Sequence, residues 1–333
     1  MEFKFLLIII LVKDILLEQI KDYKIGLSLP FKDYFWESYY NNFMNNSINF
    51  LNEGINFTII VRFSKKSMSI QQADIEYLLS QKINVLIIVP QDTKASKNII
   101  KYCEIIDIPI ISFNRLIYNT EVQVYISPNI TKVGELQAQF LLDNYGKTKK
   151  TKFLIMRGPN SDLNSELYYE GTINKFKSDN RTKDIVDDPE FFIKSEIVNW
   201  EPKEGEILCN SLKKDFIDDL GYIVAANDDI GKACILGLKN RNISLNEIYM
   251  AGHDNAQNTT DYLFYEMKNN YFTVDMNQKS DTYIALNVSK NLCLGRPFDF
   301  FKTIKNQNYD IPYLTGEVIP ITYQNFLSLK KKG

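Results

Sequence analysis

From Tyr23 onward, short apolar runs rich in β-branched residues alternate with longer stretches of helical period. In the first half the runs are KIGLSL (Lys24–Leu29), FTIIVR (Phe57–Arg62), VLIIV (Val85–Val89) and PIISF (Pro109–Phe113). In the second half KFLIM (Lys152–Met156), YIVAA (Tyr222–Ala226) and EIYMA (Glu247–Ala251) repeat the theme, with a weaker candidate over Phe191–Val198. Runs that are apolar on both faces suit parallel strands covered by helices on each side, and their alternation with helical stretches is the mark of crossover connections. The stretch Ile319–Phe326 predicts a last strand, and the Asp-rich stretch Arg181–Pro189 a surface loop. A helix opens at Asn129, a good N-cap, with Val133, Leu136, Phe140 and Leu141 at the spacing of one buried face. Two similar α/β halves follow, each a doubly wound three-layer lobe.

The length of 333 residues agrees with about two domains. With 45% hydrophobic and 24% charged residues the chain has the profile of a globular protein able to build a core. Its net charge of −2, with both signs spread along the chain, leaves no basic stripe to neutralise phosphates, so no nucleic-acid partner is expected. The four cysteines, Cys103, Cys209, Cys234 and Cys293, are far apart and mostly sit in apolar helical patterns, and are expected to be ordinary core thiols. At the N-terminus Lys4 leads into the apolar run Phe5–Val12, followed by Lys13 and Asp14. A run of that length reads as a secretion signal. No small-x-small cleavage site and no early cysteine follow it. An extracytoplasmic protein held at the membrane by an uncleaved anchor is the expectation, with a released periplasmic or secreted form as the alternative.

In open α/β sheets ligands bind beyond the carboxyl ends of the strands, so the residue after each apolar run is the informative one. Asn114 and Arg115 follow PIISF, Asp162 and Asn164 follow KFLIM, Asn227 and Asp228 follow YIVAA, and His253 and Asp254 follow EIYMA. Amides, carboxylates and a guanidinium match sugar hydroxyls, each of which donates and accepts. Trp36 and Trp200, the only tryptophans, offer flat faces for the C–H side of a pyranose. The plainer alternative is that the polar residues cap helices and the tryptophans pack in the core. Catalysis finds little support. The chain has one histidine, no G-x-S-x-G elbow, no H-E-x-x-H or Cys/His cluster for a metal, and no glycine-rich phosphate loop after the first strand. No enzyme, metal or cofactor is predicted; the neighbouring carboxylates Asp228 and Asp229 are expected to diverge from a helix start rather than act as a hydrolytic pair.

Over Lys24 to about Ile321 the chain resembles the type I periplasmic sugar-binding proteins, and among them the bacterial xylose-binding proteins. The stretches that carry the likeness are KIG with Trp36, NVLIIVP ending at Pro90, SFNR (112–115), VYISPNITKVGELQA (124–138), IMRGPNSDLNSELYYEG (155–171), WEP (200–202), AANDDIGKA (225–233) and AGHDNA (251–256). The resemblance implies a D-xylose or other pentose ligand in an interlobe cleft, touched by Trp36, Asn114, Arg115, Asn164, Trp200, Asn227 and Asp254. It also implies a three-strand hinge, with crossings near 127–130, 255–259 and 300–304. The lobes would then be 23–128 with 258–302, and 129–257 with 303–328, after a leader or anchor over 1–22. Two departures bear on the sugar: Asn114 stands where the family has an aspartate, and Met276 where it typically has a lysine. The spacing before Trp36 is also one residue short, which leaves Lys32 without an assigned role. The implied membrane partner is a histidine kinase of the LytS type or, alternatively, the permease of an ABC importer. The leader favours the kinase.

Overall fold

The computed structural model describes residues 20–96, 100, 101, 103 and 105–330. The leader expected over 1–22 lies outside these but for its last three residues, and Lys21 and Asp22 already pair with Ile55 and Asn56 in the first strand.

The chain divides into two compact units, one holding the chain up to Ser127 with Gln278–Thr315, the other Pro128–Asn277 with the chain from Gly316. In the first unit the strands are β1 (Lys21–Leu29), β2 (Ile55–Phe63), β3 (Val85–Ile88), β4 (Ile110–Phe113), β5 (Val124–Ile126), β11 (Lys302–Asn306) and β12 (Tyr309–Leu314). They form one sheet in the order β11-β12-β5-β4-β3-β1-β2, parallel except for β11. Helices α1 (Tyr34–Ser47), α2 (Met68–Ser80) and α8 (Gln278–Cys293) belong to this unit. In the second unit β6 (Lys152–Arg157), β7 (Phe192–Glu196), β8 (Leu220–Val224), β9 (Tyr249–Ala251), β10 (Tyr271–Asp275) and β13 (Ile319–Ile321) run in the order β13-β10-β9-β8-β6-β7. Only β13 is antiparallel there. Its longer helices are α3 (Ile130–Asn144), α4 (Leu163–Ser178), α5 (Pro202–Ser211), α6 (Asp228–Asn240), α7 (Gln257–Met267) and α9 (Tyr323–Lys330), with one further turn of helix at Lys214–Ile217.

Of the strands read from the apolar runs, β1, β3, β4, β6, β8 and β9 lie inside the sheets while β2 and β7 are edges, and β3, β4 and β8 are buried along their whole length. That is the expected result of helices on both faces of a parallel sheet. Three parts of the reading are corrected. The last apolar run is a strand only over Ile319–Ile321 and continues as α9. The second and third crossings fall at 277/278 and 315/316, because β10 pairs with β9 and β13 of the second unit while the β11–β12 hairpin extends the first unit through β5. Both boundaries depend on which distant strand a short segment pairs with, and periodicity does not encode that. Residues 258–277 therefore belong to the second unit and 303–315 to the first.

The third correction concerns the cysteines: Cys209 of α5 and Cys234 of α6 form a disulfide, with Cα atoms 5.2 Å apart, and both are fully buried. The helices bring together two thiols that stand 25 residues apart in sequence.

Helix α3 starts as predicted, Asn129 accepting the Lys132 N–H at 3.2 Å. Its buried face is Val133, Gly134, Gln137, Ala138 and Leu141, while Leu136 and Phe140 are half-buried. Close packing on α4 sets this face. A Cβ on Gly134 would lie 2.1 Å from the Tyr168 carbonyl oxygen and one on Gly171 2.2 Å from that of Thr131, so only glycine permits the helix backbones to approach this far. Thr172 Oγ1 donates to the Gly134 carbonyl at 3.2 Å across the same contact.

Candidate functional site

In the first unit the sequence places Trp36 in the opening turn of α1, where its backbone N–H donates to the cap Asp33 at 2.9 Å. The indole is only 2% exposed, stacked on Tyr39 at 5.6 Å and edged by Phe35 at 4.9 Å. Asn114 and Arg115 follow β4. Asn114 takes a left-handed backbone conformation, φ 59°, which asparagine tolerates better than most residues. Its Nδ2 donates to Tyr39 Oη at 3.4 Å, and its carbonyl accepts from Tyr125 Oη at 3.0 Å. Arg115 donates to the Pro90 carbonyl at the end of β3 at 3.3 Å, and its guanidinium lies 5.6 Å from the Trp36 ring centre. A cation at that distance over an indole is held by the ring quadrupole. Trp36, Asn114 and Arg115 thus form one cluster on a strand end, and Trp36 is a core residue as well. Lys32 instead pairs with Glu37 at 3.0 Å on the surface.

In the second unit the residues after β6, β8 and β9 converge. Asp162 caps α4, accepting the Asn164 N–H at 3.0 Å, and its other oxygen accepts Trp200 Nε1–H at 3.2 Å. One carboxylate therefore fixes both a helix start and the indole. Trp200 lies directly on Gly158, where a Cβ would come within 2.4 Å of the ring. Asn199 and Trp200 both have φ near +55°, at 54° and 57°. Strained backbone of this kind persists only where surrounding contacts hold it. Asn227 caps α6 through Oδ1, which accepts the Ile230 N–H at 2.9 Å. The cap leaves its Nδ2 to donate elsewhere. Asp254, half-buried with φ 96°, donates its N–H to the Val274 carbonyl, and its Oδ1 lies 2.9 Å from His253 Nδ1. Met276 is fully buried and presents no polar group.

Asp228 lies under this cluster. Its N–H donates to the His253 carbonyl at 3.0 Å, and its carboxylate accepts from Tyr271 Oη at 2.6 Å and from Thr273 Oγ1 at 2.9 Å. Complete burial, with the nearby Asp254 charge, pushes its pKa up to about 7 against the hydrogen bonds and His253, which favour the charged form. Burial, and then the Asp228 charge, hold the Tyr271 phenol well above its usual value. Asp229 is exposed and bonds instead to Thr259, so the two adjacent carboxylates diverge as expected.

The structure therefore gathers Trp36, Asn114 and Arg115 in one unit and Asn164, Trp200, Asn227 and Asp254 in the other. Sequence reasoning passed over Gly158, Tyr168 and the role of His253. The available signals were a glycine directly after a strand and a lone histidine beside a candidate aspartate. A cavity of about 10 Å³ lined by Gln137, Arg157, Gly158, Tyr168 and His253 adjoins the second cluster, room for about one water or hydroxyl. A larger concavity of about 240 Å³ in the first unit, at Tyr283, Asn287, Asn291 and Phe298, includes none of the predicted residues. Among the described residues no group of three or more His, Cys, Asp or Glu is placed to hold a metal, and no helix is long and apolar enough to cross a membrane.

A doubly wound α/β unit with polar and aromatic side chains at its strand ends is the architecture of a ligand-binding protein. Residues 25–297 match the family model described as a periplasmic binding protein domain, and the chain belongs to that family. Membership makes it a binding protein rather than an enzyme and carries an extracytoplasmic location, with which a buried disulfide agrees. The D-xylose-binding periplasmic protein of Escherichia coli is 24% identical over 61% of this chain, and the match spans 59% of that protein's length. That of Haemophilus influenzae is 25% identical over 70% of this chain and 67% of its own. A carbohydrate transporter solute-binding protein from Chloroflexus aurantiacus, solved with D-glucose, shares the fold with a TM-score of 0.80 at 21% identity, over 94% of this chain and 96% of that one.

Proposed function

We propose that this protein is an extracytoplasmic receptor for D-xylose or a closely related pentose, and that Trp36, Asn114, Arg115, Asn164, Trp200, Asn227 and Asp254 are its sugar-contacting residues. The observation that carries the reading is the pairing, in each unit, of one tryptophan with amide and charged side chains at strand ends. An indole covers the apolar face of a pyranose, while carboxylate, amide and guanidinium groups answer its hydroxyls. The D-xylose-binding function of the two relatives supports the choice of sugar. Sugar binding here transfers no bond. Its output is a shift in population toward the liganded state.

Calorimetric titration with xylose, ribose, arabinose, glucose and galactose tests this. Xylose is expected to bind in the micromolar range or tighter, about −8 kcal/mol, and to raise the melting temperature at saturation. Absence of heat and of a thermal shift with all five sugars would refute the reading. Asp254→Ala and Asn227→Ala are each expected to weaken binding by about 1–3 kcal/mol, since each leaves a sugar hydroxyl unpaired. For the output, the apolar N-terminal run favours a tethered sensor working with a membrane histidine kinase, and the transporter solute-binding protein from Chloroflexus favours delivery to an importer. Cell fractionation with sequencing of the mature N-terminus separates the two. A free protein beginning near Lys21 or Lys24 would argue for the importer.

A further inference from the structure

His253, the one histidine of the chain, is 3% exposed and occupies a fully specified position. Its ring stacks on Tyr168 at 4.3 Å and 18°, with the Trp200 indole edge-on at 6.4 Å. Its carbonyl accepts the Asp228 N–H at 3.0 Å, and Nδ1 lies 2.9 Å from Asp254 Oδ1. Nε2 is buried and has no hydrogen-bond partner among the described residues. These contacts define the tautomer. A bare Nδ1 would set a lone pair against a carboxylate oxygen and leave a buried Nε2–H without an acceptor. A proton on Nδ1 instead gives a charge-assisted bond and leaves only an unfilled acceptor at Nε2. We infer that His253 is a positioning residue, whose Nδ1–H locks one oxygen of Asp254 so that the other faces the ligand in a single orientation. Asp254 has its backbone at φ 96°, a conformation that persists only where surrounding contacts hold it, and the bond to Nδ1 is one such contact. The charged and titratable groups around the imidazole are Asp254 beside it, Asp228 at the start of α6, Tyr168 of α4 and Arg157 at the end of β6. The assignment of Asp254 as a sugar contact rests on the function proposed above. The His253–Asp254 lock does not.

Two substitutions divide what the ring does. His253→Phe keeps the stack on Tyr168 and removes the donor; His253→Asn keeps a donor at the Nδ1 position and removes the stack. A lost bond to a carboxylate corresponds to roughly a 10- to 100-fold change in affinity. His253→Phe is therefore expected to bind xylose at least roughly tenfold more weakly with little change in melting temperature, while His253→Asn melts lower yet keeps affinity within about threefold. The reverse order, with Phe binding like wild type and Asn losing affinity, would overturn the positioning role and leave a packing residue. A second readout needs no sugar. With one histidine, ¹⁵N spectra of the unliganded full chain report a single imidazole, expected protonated at Nδ1 at pH 7.5 and perturbed by Asp254→Asn. An Nε2-protonated ring, or one indifferent to Asp254→Asn, would overturn the inference even where sugar binds. If no sugar binds, the proposed function fails and the tautomer still decides the lock.

Discussion

Removing the Cys209–Cys234 bridge is expected to cost more stability than any other pair of substitutions of similar size in the second unit. The bridge closes a ring of 25 residues between two packed helices. In the chain-entropy treatment such a ring restricts the unfolded ensemble by about 12 cal/mol/K, or about 3.5 kcal/mol at room temperature. Both sulfur atoms are completely buried, so Cys209→Ala with Cys234→Ala also leaves a small packing defect between α5 and α6 that adds to this figure. For a unit of this size each kcal/mol corresponds to about 2–4 °C, which puts the expected fall in melting temperature at about 7–14 °C. Differential scanning calorimetry of the oxidised wild type and the double variant measures it. Alkylation of the unreduced, denatured protein followed by mass spectrometry checks the premise, with Cys209 and Cys234 expected to resist labelling. A double variant that melts with the wild type, or labelling of both thiols, would refute the argument.

The buried Asp228 predicts an inverted pH dependence. Its folded pKa is about 7 and that of an unfolded aspartate about 3.9. Between those values the native state holds a proton that the unfolded chain has released, so the stability Asp228 contributes falls as pH rises through that window. Urea midpoints at pH 5 and pH 8 should differ more in the wild type than in Asp228→Asn; equal differences would count against a buried neutral acid. Gly134→Ala drives a methyl group to 2.1 Å from the Tyr168 carbonyl oxygen and is expected to destabilise by about 1–3 kcal/mol or more in denaturant titration. Gly158→Ala pushes on the half-buried Trp200 ring and the Ser165 hydroxyl, side chains rather than a helix backbone, and should weaken xylose binding about tenfold while lowering the melting temperature less than Gly134→Ala.

The class of fold and the central strands of both sheets were legible in the amino-acid sequence, because a parallel strand covered on two faces must be apolar throughout and its helices must not be. The strand-end rule also led to Asn114, Arg115, Asn164, Asn227 and Asp254. The same polar residues serve as local punctuation, and Asn227 does cap α6 as the plainer reading held. One side chain here both ends a strand-to-helix turn and keeps a donor to spare, so the two readings were never exclusive. Pairing partners distant along the chain were not legible. Residues 271–275 belong to the second unit only because β9 and β13 accept them as a neighbour, and the β11–β12 hairpin joins the first only through β5. Cys209 and Cys234 look like core thiols until α5 and α6 are packed together. Periodicity reports which face of an element is buried, and for α3 it found Val133 and Leu141 but also took in the half-buried Leu136 and Phe140. It carries no term for what the face is buried against, which is why the bridge, the crossings, the glycine contact of α3 with α4 and the hold of His253 on Asp254 were decided by tertiary structure alone.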